Sequence, residues 1–232
     1  GEIRGKKITI GNELIMNEKK TSIKEFEDKI KEFEENGETT MIIAENKKIL
    51  GIIGVSDKVK EDSVQAIEKL NEAGYITVMI TGDNERAAKA IAKQVGIKQI
   101  IARVLPEDKV KKVIKLQKKG FVAFIGDGIN DAPAIKQANV GIAMGTGTDI
   151  AIEAGDIVLA KGSLMGVVES INLSKATFGK IKQNLFWAFF YNVVAIPLAV
   201  AGVLNPVVAE LAMAASSISV VANANLLRRK KI

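Results

Sequence analysis

Two apolar runs near the carboxyl end constrain this chain more than any other feature. Residues 184–204 (NLFWAFFYNVVAIPLAVAGVL) and 206–227 (PVVAELAMAASSISVVANANLL) carry one formal charge between them, Glu210. At ~1.5 Å per residue, a helix of either length reaches roughly 30 Å, the hydrocarbon thickness of a bilayer. Two transmembrane helices are expected. Only Asn205, ahead of Pro206, separates the runs, which predicts a tight hairpin with both outer ends on one side of the membrane. Lys175, Lys180 and Lys182 precede the first run, and Arg228, Arg229, Lys230 and Lys231 follow the second. The positive-inside rule then places both ends in the cytoplasm, with the preceding soluble residues beside them, in a multi-pass protein of the plasma membrane.

Two absences narrow the chemistry. With no His, any metal held here relies on carboxylate, thioether, hydroxyl, phenol or amide. With no Cys, the chain agrees with a reducing compartment. The net charge of +6 comes from Lys interleaved with Glu and accompanied by few aromatics, so a nucleic-acid partner is not expected. The chain begins with Gly, and a piece of a longer product is expected.

The soluble residues change texture once. Residues 6–16 (KKITIGNELIM) read as a strand and turn, Ile23, Phe26, Ile30 and Phe33 recur at helical spacing over 22–35, and TTMIIAENKKILGIIGV reads as a hairpin turning at Glu45-Asn46-Lys47. From Asp57 onward, helices are predicted at 60–73, 84–95, 106–119 and 131–138. They alternate with strands at 75–80, 99–102, 121–125, 140–143 and 156–159. Apolar strands alternating with amphipathic helices imply a parallel sheet covered on both faces, whose ligands bind beyond the carboxyl ends of the strands.

Three loops lie there. YITVMI runs into Thr81-Gly82-Asp83, where a hydroxyl and a glycine N–H can hold a phosphoryl oxygen, and FVAFI runs into Gly126-Asp127-Gly128-Ile129-Asn130-Asp131. Leu105-Pro106-Glu107-Asp108-Lys109 opens the helix between them, and its lysine can neutralise a phosphate. Asp131 can be read as a cap for the helix containing Pro133. That reading leaves Asp127, directly after a buried strand, without a structural task, and a hard oxygen ligand for Mg²⁺ is the better account.

TGD, the PEDK lysine and GDGINDAPAI resemble the phosphorylation domain of the P-type ATPases, within the haloacid-dehalogenase-like superfamily. The resemblance implies a doubly wound parallel α/β sheet over 55–165, preceded at 1–54 by the carboxyl-terminal part of an α+β nucleotide-binding domain and followed at 166–232 by a linker helix and the transmembrane hairpin. It implies Mg²⁺ and ATP as cofactors, with Asp127 as Mg²⁺ ligand, Asp131 as supporting carboxylate, Thr81, Gly82 and Asp83 as the phosphoryl-contacting loop, and Lys109 as the phosphate-stabilising lysine. Gly11 and Asn12 would sit near ATP, although a Gly-Asn pair is also an ordinary turn. Asp57 looks like the hinge aspartate between the two soluble domains, or else a turn or helix cap. The family's nucleophile lies in a DKTGT sequence that these 232 residues do not contain, so the missing amino-terminal part of the pump is itself an expected partner.

Polar groups inside the apolar runs are functional candidates, because hydrocarbon penalises them. Tyr191 and Asn192 lie in the first run, where Pro197 withholds a donor from the Val193 carbonyl; in the second, Met213 and Ser217 share a helix face, with Ser216 adjacent. Ordinary helix packing through small residues and a bridging Asn is the alternative. Thioether, phenol and amide suit a soft monovalent cation better than Zn²⁺ or Ca²⁺. The Tyr-Asn pair followed by Met-x-x-Ser-Ser resembles the copper(I) branch of the heavy-metal pumps, which implies a path for Cu⁺ or Ag⁺ lined by Tyr191, Asn192, Met213 and Ser217. Counted from Asn205, Asn192 and Ser217 fall at similar depth, with Met213 one turn nearer the outer face and Glu210 beyond it; Trp187 reads as an interface anchor. A membrane-tethered phosphatase of the same superfamily and a non-catalytic interaction protein are the competing functions.

Overall fold

In the computed structural model, residues 1–56 and 59–229 are described, and they divide into two units, the first Gly1–Gly166 and the second beginning at Val167. Asp57, read above as a hinge, lies outside the described residues, as do Lys230 and Lys231.

The first unit opens with β1 (Glu2–Ile3), β2 (Lys6–Gly11), α1 (Glu13–Glu18), a 3-10 turn (Lys24–Phe26) leading into α2 (Glu27–Glu35), β3 (Thr39–Glu45) and β4 (Lys48–Val55). The strands make an antiparallel sheet in chain order. Asn46 and Lys47 at positive φ (45° and 72°) form the two-residue turn that matches strand twist. Met16, Ile30, Ile42 and Ala44 are buried together, and Ile23, Phe26, Ile49 and Ile52 pack against them. The helical spacing that begins at Ile23 therefore serves this core.

There follow α3 (Glu61–Glu72), β5 (Val78–Ile80), α4 (Glu85–Val95), β6 (Gln99–Ile101), α5 (Pro106–Gln117), β7 (Ala123–Gly126), α6 (Ala132–Gln137), β8 (Val140–Met144), α7 (Asp149–Ala154) and β9 (Ile157–Leu159). The parallel α/β alternation is as expected, but the strands form two hydrogen-bonded sheets, β5-β6 and β7-β8-β9, rather than one. Among the described residues β5 pairs only with β6, and β7 only with β8. The sequence reading missed α7 altogether.

The antiparallel and parallel parts are tied by an ion pair. Glu34 of α2, 4% exposed, meets Arg86 of α4 at 2.8 Å. The hydrogen bond and charge of Glu34 push the Arg86 guanidinium above its already high ordinary value. A carboxylate this buried requires such a partner.

A second tie fastens the end of the unit. Asp62 in the first turn of α3 accepts from the Ser163 hydroxyl and from the Met165 backbone N–H, while Lys60 Nζ donates to the Gly162 carbonyl at 2.7 Å. The Ser163 hydrogen bond, more than the Met165 amide or the Lys60 charge, holds the Asp62 carboxyl below the ordinary carboxylate range. A depressed folded-state value means that the stabilisation is present above the unfolded value of about 3.9 and is lost as pH falls through the folded value. The Tm difference between wild type and Asp62→Ala is therefore expected to be largest above about pH 4 and to shrink in acid. A difference that grows on acidification contradicts the assignment.

In the second unit α8 (Met165–Val200) and α9 (Pro206–Asn225) are long and apolar enough to cross a membrane. At ~1.5 Å per residue the 36 residues of α8 extend about 54 Å, so its charged first half, with Glu169, Lys175, Lys180 and Lys182, continues beyond one hydrocarbon thickness. The connection is longer than the single Asn205 expected. α8 ends at Val200 and residues 201–205 form the loop, in which Gly202 takes φ +71°, a conformation that ends a helix at little cost in glycine. Asn205 caps α9, its side chain accepting from Val207 N at 2.9 Å. The depths shift accordingly. Asn192 stands eight positions before the end of α8, about 12 Å from the loop, and Met213 seven positions into α9, about 10 Å. Ser217, about 16 Å in, lies a turn deeper, so Asn192 is level with Met213 rather than with Ser217.

Candidate functional site

Asp127 follows the last residue of β7 and is exposed, as expected for a carboxylate serving something outside the sheet. Its backbone is fixed by a neighbour that sequence reasoning passed over. The Thr148 N–H donates to the Asp127 carbonyl at 2.9 Å, and a Cβ on Gly147 would clash with that same carbonyl oxygen. The loop after β8, Gly145-Thr146-Gly147-Thr148, therefore packs on the Asp127 loop through backbone atoms. The signal that could have found it was present: a second glycine-rich loop at the carboxyl end of an adjacent parallel strand.

Asp131 sits at the N-cap position of α6 but makes no capping bond. Its Oδ1 instead takes Lys109 Nζ at 2.5 Å, with both side chains largely shielded, at 15% and 17% exposure. Pro106 at the start of α5 places Lys109 in that helix's first turn. The ion pair joins two loops that lie 22 residues apart in sequence.

Thr81, Gly82 and Asp83 leave β5 as a tight loop: Thr81 N donates to Ile101 O, Val104 N to Thr81 O and Arg103 N to Asp83 O, all near 3.0 Å. The Thr81 hydroxyl donates to Asp83 Oδ2 at 2.7 Å, and Asp83 Oδ1 accepts from the Thr39 hydroxyl of β3 at 2.7 Å. Thr39 is a second residue that sequence reasoning missed, and no local pattern marks it. Among the described residues no hydrogen bond or ion pair joins the Thr81–Asp83 loop to the Asp127–Asp131 loop. Gly11 ends β2 and Asn12 caps α1, accepting from Ile15 N at 3.2 Å. That bond gives Asn12 a structural task whatever else it contacts.

The donor chemistry suits Mg²⁺. Among the described residues no three acidic, His or Cys side chains gather as a metal cage. Mg²⁺ is ordinarily held by one or two carboxylates with water and substrate phosphates completing its shell, which Asp127, supported by Asp131, can supply.

In the apolar half of α8 Tyr191 packs against Trp187 and Phe190, with ring centroids 6.3 and 6.2 Å apart. Asn192 Nδ2 donates to the Ala188 carbonyl at 2.8 Å, and the Ser217 hydroxyl to the Met213 carbonyl at 3.2 Å. Both side chains direct hydrogen into their own helix, which leaves oxygen lone pairs as what they can offer a cation. Met213 is 71% exposed.

The profile of a family described as haloacid dehalogenase-like hydrolase matches residues 3–139, and a second profile of the same description matches 108–171. A copper-exporting P-type ATPase of Staphylococcus saprophyticus is 49% identical over 231 residues, covering 99% of this chain and 29% of that protein. A probable copper-importing P-type ATPase A of Enterococcus hirae is 51% identical over 235 residues, covering 100% of this chain and 32% of that protein. The crystal structure of a zinc-transporting PIB-type ATPase in the E2.Pi state superposes with a TM-score of 0.77 at 39% identity, over 97% of this chain and 36% of that one. The chain spans less than a third of the length of the curated relatives it matches.

Proposed function

The chain belongs to the haloacid dehalogenase-like hydrolases, and from that membership we propose that it is the carboxyl-terminal portion of an ATP-driven copper(I) pump, a P-type ATPase of the plasma membrane. The observation that carries the reading is the Lys109–Asp131 ion pair beside Asp127 at the carboxyl end of β7. An exposed carboxylate next to a shielded lysine–carboxylate pair is organised to receive a phosphoryl group with its metal, not to cap a helix.

In this reading residues 1–54 complete a nucleotide-binding domain, 55–165 supply most of the phosphorylation domain, and 166–232 supply a linker helix and membrane hairpin with both ends cytoplasmic. The phosphoryl group passes from ATP to an Asp outside these residues, on a strand seated between β5 and β7, each of which pairs on one side only among the described residues. Mg²⁺, when bound at Asp127, draws charge from the phosphoryl oxygens. Lys109 offsets the charge that develops on the transferred group, and Asp131 holds the lysine in place. The hydroxyl of Thr81, now given to Asp83, turns to a phosphoryl oxygen when one arrives, and Gly82 lets that oxygen approach the backbone. Gly11 and Asn12 lie toward the nucleotide.

The transported ion is Cu⁺, with Ag⁺ chemically equivalent, on the ligand set Tyr191, Asn192, Met213 and Ser217. A thioether with neutral oxygens favours a soft monovalent ion over the zinc carried by the structural neighbour. The direction is export, as in the staphylococcal relatives. Incubation with radiolabelled ATP and acid quenching tests the division of labour. The full-length protein is expected to form a hydroxylamine-sensitive phosphoenzyme and the 232-residue chain alone none. A phosphoenzyme on the chain alone places the nucleophile within these residues and overturns the proposal.

A further inference from the structure

Asn223 sits near the end of an apolar helix, where an amide is costly unless its bonds are satisfied. Its partners all lie on α8. Asn223 Oδ1 accepts from Lys180 Nζ at 2.7 Å, and Nδ2 donates to Asn184 Oδ1 at 2.8 Å and to Gln183 Oε1 at 3.3 Å. Positions 180, 183 and 184 share one helix face, and the amide spends both donors on that face. Asn184 stands sixteen positions before the end of α8 and Asn223 seventeen after the start of α9, about 24 and 26 Å from the loop. The cluster thus closes the cytoplasmic end of the hairpin, about one hydrocarbon thickness from the connection.

Three bonds from one planar group fix translation and rotation together. A slip of α9 by one residue moves it ~1.5 Å and turns it by roughly 100°, which breaks all three. At the other end the two helices are joined by residues 201–205, with Gly202 at positive φ.

We propose that Asn223 is a positioning residue, which holds α9 in register on α8 so that Met213 and Ser217 stand at the depth where Tyr191 and Asn192 can share an ion with them. The assignment rests on the hairpin being the ion path. It is tested in the full-length pump by the Cu⁺ concentration that half-activates ATP hydrolysis, measured beside phosphorylation by inorganic phosphate without metal. Asn223→Ala is expected to raise the half-activating concentration about fivefold, the scale of an interhelical hydrogen bond in a membrane, while phosphorylation by phosphate stays at the wild-type level. An unchanged half-activating concentration overturns the assignment. So does an equal loss of turnover and of phosphorylation at unchanged half-activation, which would make Asn223 a packing residue only. Where Asn223→Ala is not recovered in the membrane, Asn184→Ala removes one acceptor; a smaller shift of the same sign upholds the proposal, and wild-type Cu⁺ dependence overturns it. Met213→Ala separates the two failures. A wild-type Cu⁺ response in that variant overturns the ion-path reading and this assignment with it, whereas a shifted Met213→Ala beside an unmoved Asn223→Ala overturns this assignment alone.

Discussion

Asp127→Asn in the full-length protein lowers phosphorylation by ATP about a hundredfold or more, the scale on which removing a group that stabilises transition-state charge is felt. The substitution is informative because of what it leaves alone. Asparagine keeps the size of aspartate, and the Thr148 N–H still finds the residue-127 carbonyl, since that bond is made by backbone. The side chain is exposed and, among the described residues, joins no ion pair, so folding gives little reason for the loss. What changes is the charge offered to Mg²⁺, whose hard-ligand preference makes carboxylate a much better donor than amide. The check is phosphoenzyme formed from ATP as a function of Mg²⁺ concentration, with recovery at high Mg²⁺ expected to be partial. Normal Mg²⁺ dependence and turnover in this variant would falsify the assignment of the Asp127 loop.

The parts of this site that were legible in sequence are those written in side-chain pattern. A buried strand ending in Gly126-Asp127-Gly128 announces its own carboxyl edge, and Pro106 announces the start of the helix that carries Lys109. Sequence offered Asp131 two tasks, a helix cap and the supporting carboxylate that the resemblance implies, and pattern alone does not choose between them, because capping and ion pairing use the same residue at the same position. A lysine 22 residues away decides between them. The support given by Gly147 and Thr148 was hidden for a different reason: it runs through backbone atoms, and the helix after it, Asp149–Ala154, is too short to show a period. Thr39 reaches Asp83 from the antiparallel sheet, a contact no local spacing encodes. In the hairpin, composition reported apolarity correctly but not where the first helix stops. Residues 201–204 are as apolar as those before them, and the end is set by backbone conformation at Gly202.

The revised helix ends sharpen the test of the ion path. With Asn192 and Met213 both about 10–12 Å from the loop, an amide oxygen and a thioether stand level on the two helices, and Ser217 lies a turn toward the cytoplasm. On the proposed reading, an ion arriving from the cytoplasm meets the Ser217 hydroxyl oxygen first and the Asn192–Met213 level next, with Glu210 outward of both. The hydrogen bonds already made leave the oxygens as the free groups: the Asn192 amide nitrogen donates to Ala188 O and the Ser217 hydroxyl proton to Met213 O, so each residue presents lone pairs without having to shed a proton. Thioether sulfur is the softest donor in the set and contributes most to holding Cu⁺. Met213→Ala in the full-length pump is accordingly expected to lower Cu⁺-stimulated ATP hydrolysis about tenfold, and Asn192→Ala somewhat less, each removing one ligand of a low-coordinate ion. Phosphorylation by inorganic phosphate in the absence of metal should persist in both variants, because on the proposed reading that reaction needs the phosphorylation site and no transported ion. If both variants keep wild-type Cu⁺ stimulation, or if Zn²⁺ activates the unmodified pump better than Cu⁺ does, the copper assignment fails and these polar residues are left with helix packing as their task.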